Sequence, residues 1–338
     1  MKKFILILQR ISQKFPFSFF VIKRILAAVP LLIGVTFITF FLINHSPGDY
    51  LSQMALNPQI PKERIELERK KFGLDQPWHI RYIKWLGNAC RLDFGYSFEY
   101  KMPVFKLIKS HMANTLLLSM SALLFAWLVA IPLGIIAAVK QYSWMDKVSS
   151  GIAFMGLSIP EVFLALLMVY FAYLTGWFPI GGMKDDIRFD YMSNFGKIKD
   201  LLHHLILPTF VLGASSLASY MRLMRGNLVE QLKMDYVTVA RAKGLPEWKV
   251  VLKHAVRNAI NPLITMFGYS LSSLLSGAFL VEIVMAWPGM GRLTINALMK
   301  KDIPLVVASV VMGSVMLIVG NIISDILLAI SDPRIKYD

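Results

Sequence analysis

Six stretches of this sequence are long enough, and poor enough in charge, to cross a lipid bilayer as helices: residues 25–44, 112–139, 162–183, 205–221, 258–281 and 303–324. A helix rises about 1.5 Å per residue and the hydrocarbon layer is about 30 Å thick, so roughly 20 apolar residues make one crossing. The fourth stretch is the shortest, and the third reaches back past Glu161 to about residue 148. Hydrophobic residues make up 56% of the 338 and charged residues only 17%, a balance that suits lipid better than water as the surrounding solvent. The expectation is an all-α integral membrane protein with six spans.

The first stretch follows Lys2, Lys3 and Arg10, as a secretory signal would, but it is too long and no small-residue cleavage pattern follows it, so it is expected to stay in the membrane. The basic and aromatic residues 1–20 suit an interfacial segment on an anionic leaflet. With the N-terminus inside, the cytoplasmic segments 1–24, 140–147, 222–257 and 331–338 carry 18 Lys and Arg, and the outer segments 45–111, 184–204 and 282–302 also carry 18. The rule that basic residues stay inside applies to short loops. Without the long first outer segment the count is 18 against 7, which places both termini in the cytoplasm. The net charge of +15 therefore reports orientation, and no nucleic acid partner is expected. Cys90 is the only cysteine, which excludes an intrachain disulfide and a cysteine-based metal cluster.

Residues 46–111 form an expected helical insertion outside the membrane. Ser46, Pro47, Gly48 and Asp49 make a turn, residues 61–71 make a charged helix ended by Gly73, and Trp78, Tyr82, Trp85 and Leu86 recur on one side of a second helix. That aromatic stripe suits either the headgroup region or packing on a neighbouring span. Among the prolines, Pro208, Pro262 and Pro304 lie near expected helix starts, whereas Pro132 and Pro160 fall inside spans and predict a kink or local unwinding. Ser270, Ser272, Ser273, Ser276, Gly277 and Ala278 give the fifth span a small-residue face suited to close helix packing, and it borders a polar passage in one of two readings.

Between the fourth and fifth spans stands MDYVTVARAKGLPEWKVVLKHAVRNAINPL, residues 234–263. It reads as two short helices: Asp235 caps the first, Gly244 ends it in a left-handed conformation, and Pro246 opens the second with Glu247 in its first turn. Lys253, His254 and Arg257 complement the far end. Ala240 and Ala242 leave little bulk beside Gly244, and Tyr236, Val239, Trp248, Val251 and Leu252 call for a partner surface. Taken alone, the pattern also suits a basic hairpin that only keeps positive charge inside.

The segment resembles the EAA loop of binding-protein-dependent ABC importer permeases, in the version found in dipeptide/oligopeptide permease B-type subunits. It departs from the broader importer pattern at Thr238 and Arg257, where that pattern has Glu and Pro. The resemblance extends over nearly the whole chain from about residue 21. It includes SPGDY at 46–50, FGLDQP at 72–77, LDFGYSF at 92–98, SIPEVF at 158–163, LILP at 205–208, WPGMGRL at 287–293 and DPRIKY at 332–337.

The resemblance implies a type I importer (MetI-like) permease fold in a bacterial or archaeal cytoplasmic membrane, with residues 112–330 as its core. It implies that Asp235, Tyr236, Ala240, Arg241, Ala242, Lys243, Gly244 and Leu245 form a coupling helix seated on a cytoplasmic ATPase. It also implies a second similar permease subunit, two ATPase subunits and an extracytoplasmic substrate-binding protein. No GxxxxGK followed by Ser or Thr occurs, so ATP and Mg2+ are expected on the partner ATPases, with no cofactor here and no catalysis by this chain. Buried acids are costly in a membrane, which makes Glu161, Glu282 and Asp325 candidates for a pathway or for interhelical pairing. The expected pathway set is Pro160, Glu161, Ser273, Ser276 and Glu282. His203 and His204 read more readily as a hydrated pair than as a metal site. Peptide import is the leading function. The alternatives are glutathione or nickel import by the same class of machine, or a proton-coupled secondary transporter.

Overall fold

The structure, a computed structural model, describes residues 16–55, 59–264, 266–267, 270 and 278–331. Apart from one isolated bridge between Tyr96 and Pro103, the regular structure among the described residues is helical. The helices are α1 (Pro16–His45), α2 (Tyr50–Ala55), α3 (Lys62–Lys71), α4 (Trp78–Ala89), α5 (Val104–Val139), α6 (Trp144–Ser158) and α7 (Glu161–Thr175). There follow α8 (Asn194–Gln231), α9 (Asp235–Ala242), α10 (Glu247–Lys249), α11 (Val256–Ala259), α12 (Phe279–Val284), α13 (Met290–Met299) and α14 (Ile303–Ser331). The chain divides into two compact units, one built from Met1–Asn114 and Gly289–Ile318, the other from Thr115–Pro288 and Val319–Lys336.

Four helical stretches are long and apolar enough to cross a membrane: Arg24–Ser52, Val104–Val139, Asn194–Gln231 and Ile303–Ile326. A fifth candidate is the pair α6 and α7, bent by 100° at their junction. The sequence pattern predicts a kink or local unwinding at Pro160, and there the helix stops and restarts. A residue before proline is driven out of the helical region, and Ile159 is extended (φ −86°, ψ 120°). Pro160 then caps α7 and Glu161 occupies its first turn, where a negative charge complements the helix dipole.

Two observations show that α6 and α7 together return the chain along α8. First, α5 and α8 run parallel: Ser121 meets Thr209 through hydroxyls 2.9 Å apart, Gly213 abuts Ala122 and Phe125, and Gly134 abuts Met221 and Met224. Two consecutive long helices can cross in the same sense only if the chain between them returns. Second, the connecting pair runs antiparallel along α8, from Asp146 beside Arg225, through Gly156 beside Ala214 and Ala218, to Trp177 beside His203. The 22 residues from His203 to Arg225 correspond to about 33 Å of helix, the thickness of the hydrocarbon.

The fourth span is far longer than its apolar run. Helix α8 has 38 residues, about 57 Å, so it begins within the expected outer segment and takes in residues 222–231 of the expected loop. Pro208 is consequently a buried interior residue rather than a helix-start proline. Pro132 is likewise held inside α5, whose helix is unbroken from 104 to 139, where the sequence predicts a kink or local unwinding. Part of the fifth predicted span, including Ser272, Ser273, Ser276 and Gly277, lies outside the described residues, as do residues 1–15 and 332–338.

In the first unit, α4 packs on the first span through its aromatic stripe, which decides between the two readings of the insertion. The Tyr82 hydroxyl lies 3.1 Å from that of Thr36 and donates to the Ile33 carbonyl, while its ring meets Phe37 and Phe40 edge-on. Arg81 donates to Asn44 at 3.0 Å. The insertion is tied to the turn before α14 by Asp302, which is fully buried. One of its carboxylate oxygens accepts from the Ser97 hydroxyl (2.5 Å) and the Glu99 amide (3.1 Å). The other faces the Leu305 amide in the first turn of α14 (3.4 Å).

Candidate functional site: the loop after the fourth long helix

Residues 232–260 fold into a compact structure on the end of α8. Helix α9 starts after an extended Met234, so Met234 rather than Asp235 occupies the capping position. Asp235 sits in the first turn and makes no capping bond, contributing by its charge near the helix N-terminus. Gly244 closes α9 with φ +73°, the left-handed conformation that its lack of a side chain allows. Its amide donates to the Arg241 carbonyl (2.9 Å) and the Lys243 amide to that of Val239 (3.1 Å). A Cβ built on Gly244 would touch nothing within 4 Å, so the requirement for glycine there is one of backbone conformation and not of space.

Pro246 then caps α10, and a π-helical turn, Val250–Ala255, joins it to α11. Across the glycine turn, Arg241 donates to both Glu247 oxygens (2.7 and 3.2 Å), and this guanidinium holds the Glu247 carboxyl below the usual carboxylate range. The pair is exposed, so it sets the turn's geometry more than its stability.

The loop has an inner and an outer face. Val237, Val250, Ala255 and Ala259 are completely buried, with Ala240 and Val251 nearly so. Full burial of a valine is worth about 1.5–3 kcal/mol, enough to fix the two-helix unit on its base. Asn227 on α8 adds a bond to the Ala259 carbonyl (3.3 Å). Tyr236, Val239, Arg241, Ala242, Lys243, Gly244, Leu245, Trp248 and Leu252 face outward. Two expectations change: Ala240 and Val251 pack against their own chain, because the periods of α9 and of the π turn rotate them inward. Ala242 and Gly244 alone provide the low relief on the outer surface.

The pathway candidates are dispersed. Pro160 is exposed at the α6–α7 break, and Glu161 beside it is half-buried, one carboxylate oxygen enclosed without a hydrogen bond among the described residues. Glu282 is fully buried and accepts from the Thr115 hydroxyl at 2.5 Å. Asp325 is half-buried, and Ser273 and Ser276 lie outside the described residues. The histidines part company. His203 is exposed and contacts the Trp177 carbonyl, whereas His204 is buried against Asp200 on the preceding turn, so they are not a hydrated pair. No group of three or more potential metal ligands occurs among the described residues.

Sequence reasoning missed two buried acids. Asp146 is bound by Arg225 in bidentate fashion, Nε to Oδ1 at 2.6 Å and Nη2 to Oδ2 at 2.7 Å. Ser143 caps α6 and accepts from the Asp146 amide, and the Ser-x-x-Asp spacing was the available signal. Asp302, two residues before Pro304, carried the comparable signature of a helix start.

Residues 130–337 match the family described as binding-protein-dependent transport system inner membrane component, and residues 17–121 match the N-terminal region of such membrane components. The chain belongs to this family. It is 38% identical over 320 residues to the oligopeptide transport system permease protein AppB of Bacillus subtilis, covering 94% of this chain and 99% of that one. It is 34% identical over 335 residues to the dipeptide transport system permease protein DppB of Escherichia coli K12, covering 94% and 98%. It is 36% identical over 319 residues to the glutathione transport system permease protein GsiC of the same strain, covering 94% and 99%. Family membership makes this chain a membrane component of a bacterial-type transport system, and its apolar helices are the part that occupies the membrane.

Proposed function

We propose that this chain is one of the pore-forming subunits of an ATP-driven importer for short peptides, and that residues 235–252 receive the force generated by a separate cytoplasmic ATPase. The observation that carries the reading is the two-sided loop. A unit fixed from below by Val237 and Val250 presents Tyr236, Val239, Trp248 and Leu252 beside Arg241 and Lys243, well beyond the apolar part of α8. Exposed apolar side chains on a folded element outside the bilayer mark a protein contact. Ala242 and Gly244 let a partner approach the backbone, and Arg241 and Lys243 add polar contacts.

In this reading ATP and Mg2+ are held by two partner ATPase subunits, a second permease subunit completes the passage, and a binding protein delivers cargo from outside. Both termini and the loop face the cytoplasm. Peptides are favoured as cargo because relatives named for oligopeptides, dipeptides and glutathione, itself a tripeptide, align over almost their full length. Glutathione import is the closest alternative.

The test is Gly244→Val in the complete importer, reconstituted in proteoliposomes with its binding protein. A β-branched residue at φ +73° strains the turn by about 1–3 kcal/mol without any steric clash. ATP hydrolysis should persist while uptake falls at least tenfold. Normal uptake by a normally inserted variant would sink the assignment, as would uptake that survives ATP depletion and stops with an uncoupler.

A further inference from the structure

Beside the Asp146–Arg225 pair, between α6 and α8, lies a cavity of about 180 Å³ lined by Ser150, Ala153, Phe154, Met221, Arg222 and Arg225. Its charges are unequal. Asp146 is satisfied by Arg225 and by the Tyr142 amide (2.8 Å), and the Ser150 hydroxyl also points to it (3.3 Å). Arg222, one turn before Arg225, is exposed and has no hydrogen-bond or ion-pair partner among the described residues. The cavity thus holds one uncompensated positive charge above a wall of Ala153, Phe154 and Met221.

Its depth follows from the helix that carries it. Arg222 is the first charged residue after the uncharged run 205–221, and α8 continues for nine residues beyond it to Gln231, about 13 Å. A headgroup layer is about 5–7 Å thick, so Arg222 stands at the boundary of hydrocarbon and headgroups and the loop lies beyond the membrane. An independent marker agrees. Tyr142 and Trp144, at the start of α6, are 77% and 76% exposed and are flanked by Lys140 and Lys147, the composition of an interfacial belt.

We propose that this cavity binds an anionic glycerophospholipid, its phosphate held by Arg222 with the free Nη1 of Arg225, and the start of an acyl chain lying on Phe154 and Met221. Guanidinium groups match phosphate oxygens in a fork geometry, and basic pockets between helices at this depth suit acidic headgroups. The choline of a zwitterionic lipid would bring a second positive charge to the arginines. Occupancy would brace α6 against α8 at the level where α8 leaves the membrane.

The test uses the full-length chain, with whatever subunits copurify, in mild detergent. Native mass spectrometry follows retention of phosphatidylglycerol against phosphatidylcholine of the same acyl chains. Phosphatidylglycerol should be favoured, Arg222→Ala should lower that preference about fivefold, and Arg222→Lys should keep most of it. Arg222 is exposed, so neither substitution removes packing; Lys199→Ala, at the far end of α8, should change nothing. Equal retention of the two lipids, or an unchanged preference in Arg222→Ala, overturns the proposal. Displacement of the lipid by millimolar inorganic phosphate would identify a soluble-anion site instead. Loss of a copurifying subunit from Arg222→Ala with the lipid preference intact would mean that the arginine faces protein.

Discussion

Arg225→Ala would leave the Asp146 carboxylate buried, with only the Tyr142 amide and Ser150 to solvate it. Breaking a buried pair from one side costs about 3–5 kcal/mol, and the loss should appear as a lower midpoint of thermal unfolding in detergent. Asp146→Asn should be milder, because Arg225, 27% exposed, can turn to water whereas Asp146 cannot. The pair was invisible in the sequence for a physical reason. Its partners are 79 residues apart, and nothing local announces that an arginine at the end of an apolar run is aimed at a particular acid. Asp302 permits a test by pH. Burial pushes its carboxyl above the ordinary value of 3.8, against the opposing pull of the Ser97 and Glu99 bonds. A group whose folded pKa is raised contributes stability that is fully present below the unfolded value and is lost as pH rises through the folded one. Hydrogen exchange of the Glu99 and Leu305 amides should therefore be most protected at acidic pH and should loosen upward from about pH 4, after correction for intrinsic exchange rates. Asp302→Asn should abolish this dependence.

Helix contacts offer a different test. The two glycines that let α5 and α8 run side by side, Gly134 on α5 and Gly213 on α8, are not interchangeable with Gly226 further along α8. A Cβ on Gly134 would lie 2.8 Å from the Met224 Cβ and 3.0 Å from the Met221 carbonyl. One on Gly213 would lie 2.8 Å from the Phe125 ring and 3.0 Å from the Ala122 carbonyl. Gly134→Val and Gly213→Val should each destabilise by about 1–3 kcal/mol through overpacking. Gly226→Ala, with nothing within 4 Å, should be neutral or stabilising by up to about 1 kcal/mol. Unfolding midpoints of the three variants check the ordering. Apolar runs located the long elements well but understated their ends, because hydropathy registers the lipid-facing middle of a helix. The polar turns at 194–204 and 222–231 belong to α8 all the same. Pro160 was legible in the other sense: a kink or local unwinding was expected there, and backbone sterics divide the run into two helices.

Topology is a property of the entire chain, and Cys90 is a ready reporter of it. It is exposed and is the only cysteine. In intact cells or spheroplasts a membrane-impermeant maleimide should label Cys90 from outside. In a Cys90→Ser background, Trp248→Cys should label only after permeabilisation. Labelling of both from one side would overturn the orientation argued from charge. Class and the place of the two-helix loop after α8 were legible because they depend on one-dimensional quantities, run length and the Ala-Arg-Ala-Lys-Gly core; the orientation argued from Lys and Arg is what the labelling tests. The loop's division into two faces was only half legible. Gly244 declares its conformation by being glycine, whereas the inward turn of Ala240 and Val251 depends on a π turn and a supporting surface that no short pattern encodes.

Helix α8 is gripped at successive levels, by Trp177 at His203, by Phe125 at Gly213, by Gly134 at Met224, by Asp146 at Arg225 and by Ala259 at Asn227. Such an element behaves mechanically as a beam on fixed bearings. On the function proposed above, a load applied at the loop end would meet these bearings along a helix of roughly 57 Å, and the glycine crossings are the levels where a neighbouring helix backs most closely onto α8.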